Sequence, residues 1–190
     1  VYYVAEACKK SNAFDDIYIS SESLIFRKIA KQLGVKFYHR DKKHGGSSCT
    51  MSNSSKSCNQ ERCTVHDHFL KDFIDNIKCD YLVQVHTTSP LIKPKTISQF
   101  TKTLINHDSL VTTEQIYSES FINKKPVNFD LNKKQETQTL SPIDSICWAL
   151  TGWKCSTFKK EYKNGPTFCG DFNYFPISKI EAIDIDTPDE

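Results

Sequence analysis

Two aspartates near the end of the chain, Asp184 and Asp186, stand two positions apart in Ile183-Asp-Ile-Asp186. In an extended strand side chains alternate between faces, so both carboxylates would point one way while Ile183 and Ile185 face the opposite layer. Carboxylates about 7 Å apart along one strand face can share a hard divalent cation through oxygen ligands. Thr187-Pro188-Asp189-Glu190 then reads as a helix start, with Thr187 as N-cap, Pro188 at the first helical position and acids in the first turn. Strand, paired acid and helix start is how an α/β enzyme would hold Mg²⁺ at the carboxyl edge of its sheet. Taken by itself, the motif reads first as a solvated strand end.

Two more polar clusters bear on that choice, Ser20-Ser21-Glu22 and the run from Gln84 to Ser89. Ligands of open α/β sheets bind beyond the carboxyl ends of the strands, where all three clusters fall. They come from separate strands and converge only if those strands are neighbours. Mg²⁺ commonly bridges protein carboxylates to substrate phosphates. The hydroxyl and amide groups of Ser20, Ser21, Gln84, Thr88 and Ser89 suit a sugar or a base, which needs many neutral hydrogen bonds. Together the clusters point to metal-assisted chemistry on a phosphate-bearing substrate with a sugar-like partner.

The elements that must position these groups follow a βαβ rhythm, which implies a parallel sheet with helices on its faces. Residues 1–11 read as a helix with Val4, Ala5 and Cys8 inward. Residues 16–20 read as a short strand. Residues 22–33 form an amphipathic helix with a stripe of Leu24, Ile25, Ile29 and Leu33, stopped by Gly34. A second strand covers 35–39. Residues 41–63 have loop composition and break the rhythm. Thr64 starts a helix with Val65, Phe69, Phe73, Ile74 and Ile77 on its buried side. Tyr81-Leu-Val-Gln-Val85 is the clearest central strand and runs into the polar turn His86-Thr-Thr-Ser-Pro-Leu91. A helix over 96–105 and a strand over 109–113 follow. Residues 114–150 suit an antiparallel excursion, 153–162 a last helix, and 168–176 with 182–186 the closing strands.

Composition bounds the reading. The chain has 190 residues, 38% hydrophobic and 12% aromatic, which suits one folded α/β domain rather than a disordered chain. A net charge of +2, from 25 basic and 23 acidic residues, gives no case for nucleic acid. No apolar run approaches the roughly 20 residues needed to cross a bilayer. The eight cysteines are spread along a chain large enough to fold on its core, so reduced thiols in a cytoplasmic protein are expected rather than a disulfide framework. Cys49, Cys58 and Cys63, with His66 or His68, lack the tight two-residue pair of a recognisable zinc site. Val1 falls inside a helical pattern and Glu190 inside a helix start, so both ends read as cut.

Four pieces carry a resemblance: residues 9–23, Phe37-Tyr-His-Arg40, Tyr81 to Leu91 with its Gln-x-x-x-Thr-Ser-Pro-Leu, and Ile183 to Asp189 with its Ile-Asp-Ile-Asp. In order and spacing the chain resembles the cytidylyltransferases that activate acidic sugars, the acylneuraminate (CMP-sialic acid) synthetase group. The resemblance implies a three-layer Rossmann-like α/β fold, a mostly parallel sheet, and a β excursion near 114–150 that packs against a second subunit. It implies attack of a sugar's anomeric hydroxyl on the α-phosphorus of CTP, with release of pyrophosphate. By the same resemblance Asp184 and Asp186 would hold Mg²⁺, and Gln84 would serve the sugar and nucleotide. Arg40 would approach the triphosphate, while Ser20, Ser21, Thr88 and Ser89 would line the substrate site. The family's amino-terminal strand and basic glycine-rich loop have no counterpart here, so this stretch alone is expected to bind CTP poorly. Glu22 stands where many members have Asp. A non-catalytic relative, or a transferase using UTP, are the alternatives.

Overall fold

The computed structural model describes residues 1–41, 65–162 and 168–187. Helix α1 (Tyr2–Ser11) buries Val4, Ala5, Ala7 and Cys8, the face its pattern predicts, and closes on Asn12 in the left-handed region (φ 48°). Strand β1 (Tyr18–Ser21) runs parallel to β2 (Lys36–His39) through helix α2 (Ile25–Leu33). Gly34, at φ 66°, ends α2 in a conformation that glycine adopts without steric cost. The expected α2 stripe is only half right. Ala30 and Leu33 are buried, but Leu24 and Ile25 are 55% and 69% exposed, because the narrow two-stranded sheet covers only the carboxyl-terminal half of the helix.

The main sheet has four strands in the order β3-β7-β4-β8: β3 (Tyr81–Val85), β4 (Ser109–Ile116), β7 (Ile143–Lys154) and β8 (Phe172–Ile177). Strands β3, β4 and β8 run one way and β7 runs against them. Alternation along β3 feeds two cores. Val83 and Val85 pack with Val4 and Cys8 of α1 and with Ile97, Phe100 and Leu104 of helix α4 (Pro94–Leu104). Leu82 turns the other way, with Trp153, toward Leu70 and Ile74 of helix α3 (Val65–Asn76) and Phe158 of helix α5 (Cys155–Glu161). The result is the three-layer α/β arrangement that the βαβ rhythm implies. None of the helices among the described residues is long and apolar enough to cross a membrane.

Three expectations need correction. The excursion is shorter than 114–150. It holds a small hairpin, β5 (Phe121–Ile122) with β6 (Lys125–Pro126), and one 3₁₀ turn at Thr137–Thr139, before β7 enters the sheet at Ile143. Trp153 belongs to β7, not to the last helix. It lies between partners on two strands, Leu82 and Ser109, and is 1% exposed, so pairing on both sides overrides its helical reading. Residues 182–186 form no strand, and Ile183 and Ile185 are 42% and 40% exposed rather than buried in a layer. Local alternation cannot supply a strand with a partner edge. The helix start expected at 187–190 and the cysteines 49, 58 and 63 reach beyond the described residues.

Strand β7 carries a bulge that matters for the site. Its register against β4 shifts between Val111 and Thr113, and Trp148 sits at φ 56°. Across the break the Thr112 hydroxyl replaces the ladder: Leu150 N–H donates to Thr112 Oγ1 (2.9 Å), which donates to Leu150 O (3.2 Å). Beside the bulge the Ala149 carbonyl accepts the His86 N–H at 3.1 Å, which fixes the start of the turn after β3.

Candidate functional site

The hydrogen bonds gather the expected site residues into two groups. The first lies beyond β3. Gln84 faces the α3 side of the sheet, opposite in sense to Val83 and Val85, and pairs in register with Thr151. The turn after the strand is closed by Ser89 N–H to His86 O (3.3 Å), leaving Thr87 exposed, Thr88 half-buried and Ser89 1% exposed. One backbone bond joins this turn to the paired acids: Ile185 N–H donates to Thr88 O at 2.8 Å. Asp184 and Asp186, on either side of Ile185, are exposed. The structure therefore brings the Gln84–Ser89 cluster and the acidic segment together, though by a single bond rather than a sheet ladder.

Sequence reasoning did not single out the residue that aims this segment. Glu181 is 5% exposed, and its carboxylate accepts three hydrogen bonds. They come from Thr96 Oγ1 (2.6 Å), Ser178 Oγ (2.8 Å) and Lys93 N–H (3.0 Å). Lys93 and Thr96 sit at the amino end of α4, where unpaired N–H groups and the helix dipole favour a carboxylate. Burial alone would raise the Glu181 carboxyl, but the bonds from Thr96, Ser178 and Lys93 outweigh it and hold the group below its ordinary range. The signal in the sequence was Ser178-x-x-Glu181, a capping-box spacing.

The second group lies beyond β1 and β2. Arg40 N–H donates to Ser21 O (3.1 Å), and Arg40 Nη2 donates to Glu22 Oε2 at 2.6 Å. The guanidinium also lies 5.1 Å over the Phe69 ring. The Arg40 bond, more than any other influence, holds the Glu22 carboxyl below its usual range. Ser21 Oγ accepts the Ser23 N–H (3.1 Å), so that hydroxyl shapes the turn into α2. Ser20 Oγ and Arg40 Nε are buried with no hydrogen-bond partner among the described residues. Such groups carry a desolvation cost that an incoming acceptor or donor can relieve. Arg40 also lines an open cleft of ≈ 680 Å³ with Tyr38, His39, Asp41, Asp72 and Asn76. Tyr38 donates to Asp72 Oδ2 at 2.6 Å on the wall of that cleft, and burial, helped by Asp72, pushes its phenol up to about 12.

The donor set suits Mg²⁺ better than a softer metal. Among the described residues no three His, Cys, Asp or Glu side chains gather as a ready-made metal cage. Asp184 and Asp186 offer hard oxygen donors at an exposed position, and Mg²⁺ typically takes one or two carboxylates and completes its shell with water and substrate phosphates.

A three-layer α/β fold with polar clusters beyond its strand ends sets those clusters where ligands of open α/β sheets bind. The cytidylyltransferase family matches residues 1–147, and the chain belongs to that family. The match stops short of Asp184 and Asp186. A search of curated protein sequences finds no match. Among solved structures, the chain is similar to a CMP:2-keto-3-deoxy-manno-octonic acid synthetase complexed with CTP. There the TM-score is 0.58 at 7% identity, over 93% of this chain and 79% of that one. It is also similar to the 4-diphosphocytidyl-2C-methyl-D-erythritol synthase of Anaerococcus prevotii, with TM-score 0.58 and 7% identity over 99% and 80% of the two chains. The bifunctional IspDF of Campylobacter jejuni gives 0.57 at 11% identity, over 97% of this chain and 43% of that one. At these identities the likeness is one of fold.

Proposed function

We propose that this protein transfers CMP from CTP to an acidic sugar of the nonulosonate kind. The sugar's anomeric hydroxyl attacks the α-phosphorus; the new oxygen–phosphorus bond replaces the bond to pyrophosphate, and the hydroxyl proton is lost. The observation that carries the reading is the 2.8 Å bond from Ile185 N–H to Thr88 O, which sets two exposed carboxylates beside the polar turn of a cytidylyltransferase-family chain. Asp184 and Asp186 would hold Mg²⁺, which would supply positive charge against the charge building on the phosphates. Gln84 and Thr88 orient the sugar and nucleotide through neutral hydrogen bonds. Ser20, Ser21 and Arg40 serve the phosphate side, where a fixed guanidinium fork suits a triphosphate. The single domain is completed by a second subunit on the excursion, where Phe121, Ile122, Val127 and Leu131 are 48–66% exposed.

The test is pyrophosphate release by the intact gene product with CTP, Mg²⁺ and a panel of acidic sugars, beside UTP. Release that depends on CTP and on one sugar is the expected result. Release with UTP would transfer the reading to another nucleotide class. A folded protein that turns over nothing would favour the non-catalytic alternative. The Glu22–Arg40 pair is the observation on that side, since a 2.6 Å bond already engages the arginine proposed for the triphosphate.

A further inference from the structure

At the end of β3 opposite the polar turn, two cysteines 76 residues apart meet with their sulfurs 3.1 Å apart: Cys79, just before the strand, and Cys155, the first residue of α5. Their backbones are held in place. Tyr81 pairs with Lys154, and the next bond outward is Cys155 N–H to Asp80 O at 2.9 Å. The side chains belong to the core of Leu70, Ile74, Trp153 and Phe158, which limits their freedom to part. Cys79 is half-buried, whereas Cys155 is 3% exposed. Desolvation, then the neighbouring Cys79 thiol, pushes the Cys155 thiol upward. Both cysteines are thiols in this structure, as are Cys8, Cys147 and Cys169.

We infer that Cys79 and Cys155 form a site of reversible oxidation, closing an intrachain disulfide between the start of β3 and the start of α5. With hydrogen peroxide as oxidant the steps balance. The Cys79 thiolate attacks the peroxide and breaks its O–O bond, giving a sulfenic acid and, after proton uptake, water. The Cys155 sulfur attacks the Cys79 sulfur, its S–H proton leaves, and the S–O bond breaks to release a second water. Two thiols and one peroxide become one disulfide and two waters, and a small-molecule dithiol reverses the change. The link bridges two elements already joined by a backbone hydrogen bond, so it adds a covalent tie to the strand that carries Gln84.

The sequence makes the test direct. Lys78 and Lys154 immediately precede the two cysteines, so trypsin places them at the heads of separate peptides. The full chain is treated with hydrogen peroxide, blocked with an alkylating agent, digested without reduction and analysed by mass spectrometry. The expected result is one cross-linked species joining the Cys79 and Cys155 peptides, two hydrogens lighter than the sum of the two peptides and lost on treatment with dithiothreitol. A Cys155→Ser chain should give no such species and should accumulate sulfenic or sulfinic acid on Cys79 instead. The inference is overturned if the unsubstituted chain leaves both thiols alkylatable while Cys147 is oxidised, or if Cys79 oxidises beyond sulfenic acid with Cys155 still free.

Discussion

Three positions separate two carboxylate environments at the end of this chain, and they behave as opposites. Glu181 is 5% exposed and saturated by Thr96, Ser178 and Lys93; Asp184 and Asp186 are exposed. A buried carboxylate persists only when its lone pairs are satisfied, and one so satisfied has little left to offer a substrate. An exposed carboxylate costs the fold little and can exchange water for a metal ion or phosphate counter-charge. The segment therefore has two anchors: Glu181 ties it to the amino end of α4, the bond from Ile185 to Thr88 sets it beside the turn, and both aspartates stay exposed. The type of residue is shared; burial is what sets Glu181 apart from the two exposed aspartates.

The largest effect expected from breaking this contrast is on turnover. On the proposed function, Asp186→Asn should lower kcat on the order of 100-fold or more, because it would remove a metal-binding charge where phosphate charge develops. Asp184→Asn should do the same. Both proteins should keep the unsubstituted chain's thermal midpoint and circular dichroism, because neither aspartate is buried. A loss of activity that tracked a loss of folded protein would move both residues from the chemistry to the scaffold.

Glu181 should show the reverse pattern. Glu181→Ala strips the acceptor from two hydroxyls and one backbone N–H, and should cost about 2–3 kcal/mol. The effect is read as a lower urea midpoint with an unchanged m-value. Its stabilisation also has a pH signature. Because the folded carboxyl sits below its ordinary range, the contribution is fully present above the unfolded pKa, about 4.3, and is lost as pH falls through the folded value. The stability gap between the unsubstituted chain and Glu181→Gln should thus be widest near neutrality and narrow below about pH 4. A gap constant from pH 7 to pH 3 would show that packing, not charge, is what Glu181 supplies.

What could be read from the residues alone follows the reach of each physical signal. The α1 face, the Gly34 stop and the β3 strand with its turn depend on neighbours within a few positions, and the structure agrees with all of them. Strand β7 was obscured because its bulge puts Trp148 at positive φ and breaks the alternation, so Trp153 read as the start of a helix. Residues 182–186 had the alternation of a strand, but no local pattern tells whether a free sheet edge lies alongside. Glu181 carried a visible capping-box partner in Ser178, yet Thr96, 85 residues earlier, could not be paired with it before the fold placed α4 there. The triphosphate role expected of Arg40 came from the resemblance alone, whereas its engagement by Glu22 depends on two parallel strands ending side by side.

The smallest effect sharpens the contrast from a third side. Ser89 is as hidden as Glu181, at 1% exposed, but its hydroxyl has no hydrogen-bond partner among the described residues. Burying an unsatisfied hydroxyl costs the fold on the order of 1–3 kcal/mol, so Ser89→Ala should leave the thermal midpoint unchanged or raise it slightly. If the hydroxyl is retained for a ligand that reaches it when the turn opens, the same substitution should raise KM for CTP several-fold and leave kcat alone, since it removes binding and not charge stabilisation. A lower midpoint with an unchanged KM would place Ser89 with Glu181 on the structural side. The expected combination, neutral for the fold and adverse for binding, would show that burial alone does not separate scaffold from site in this segment, and that the tally of satisfied partners does.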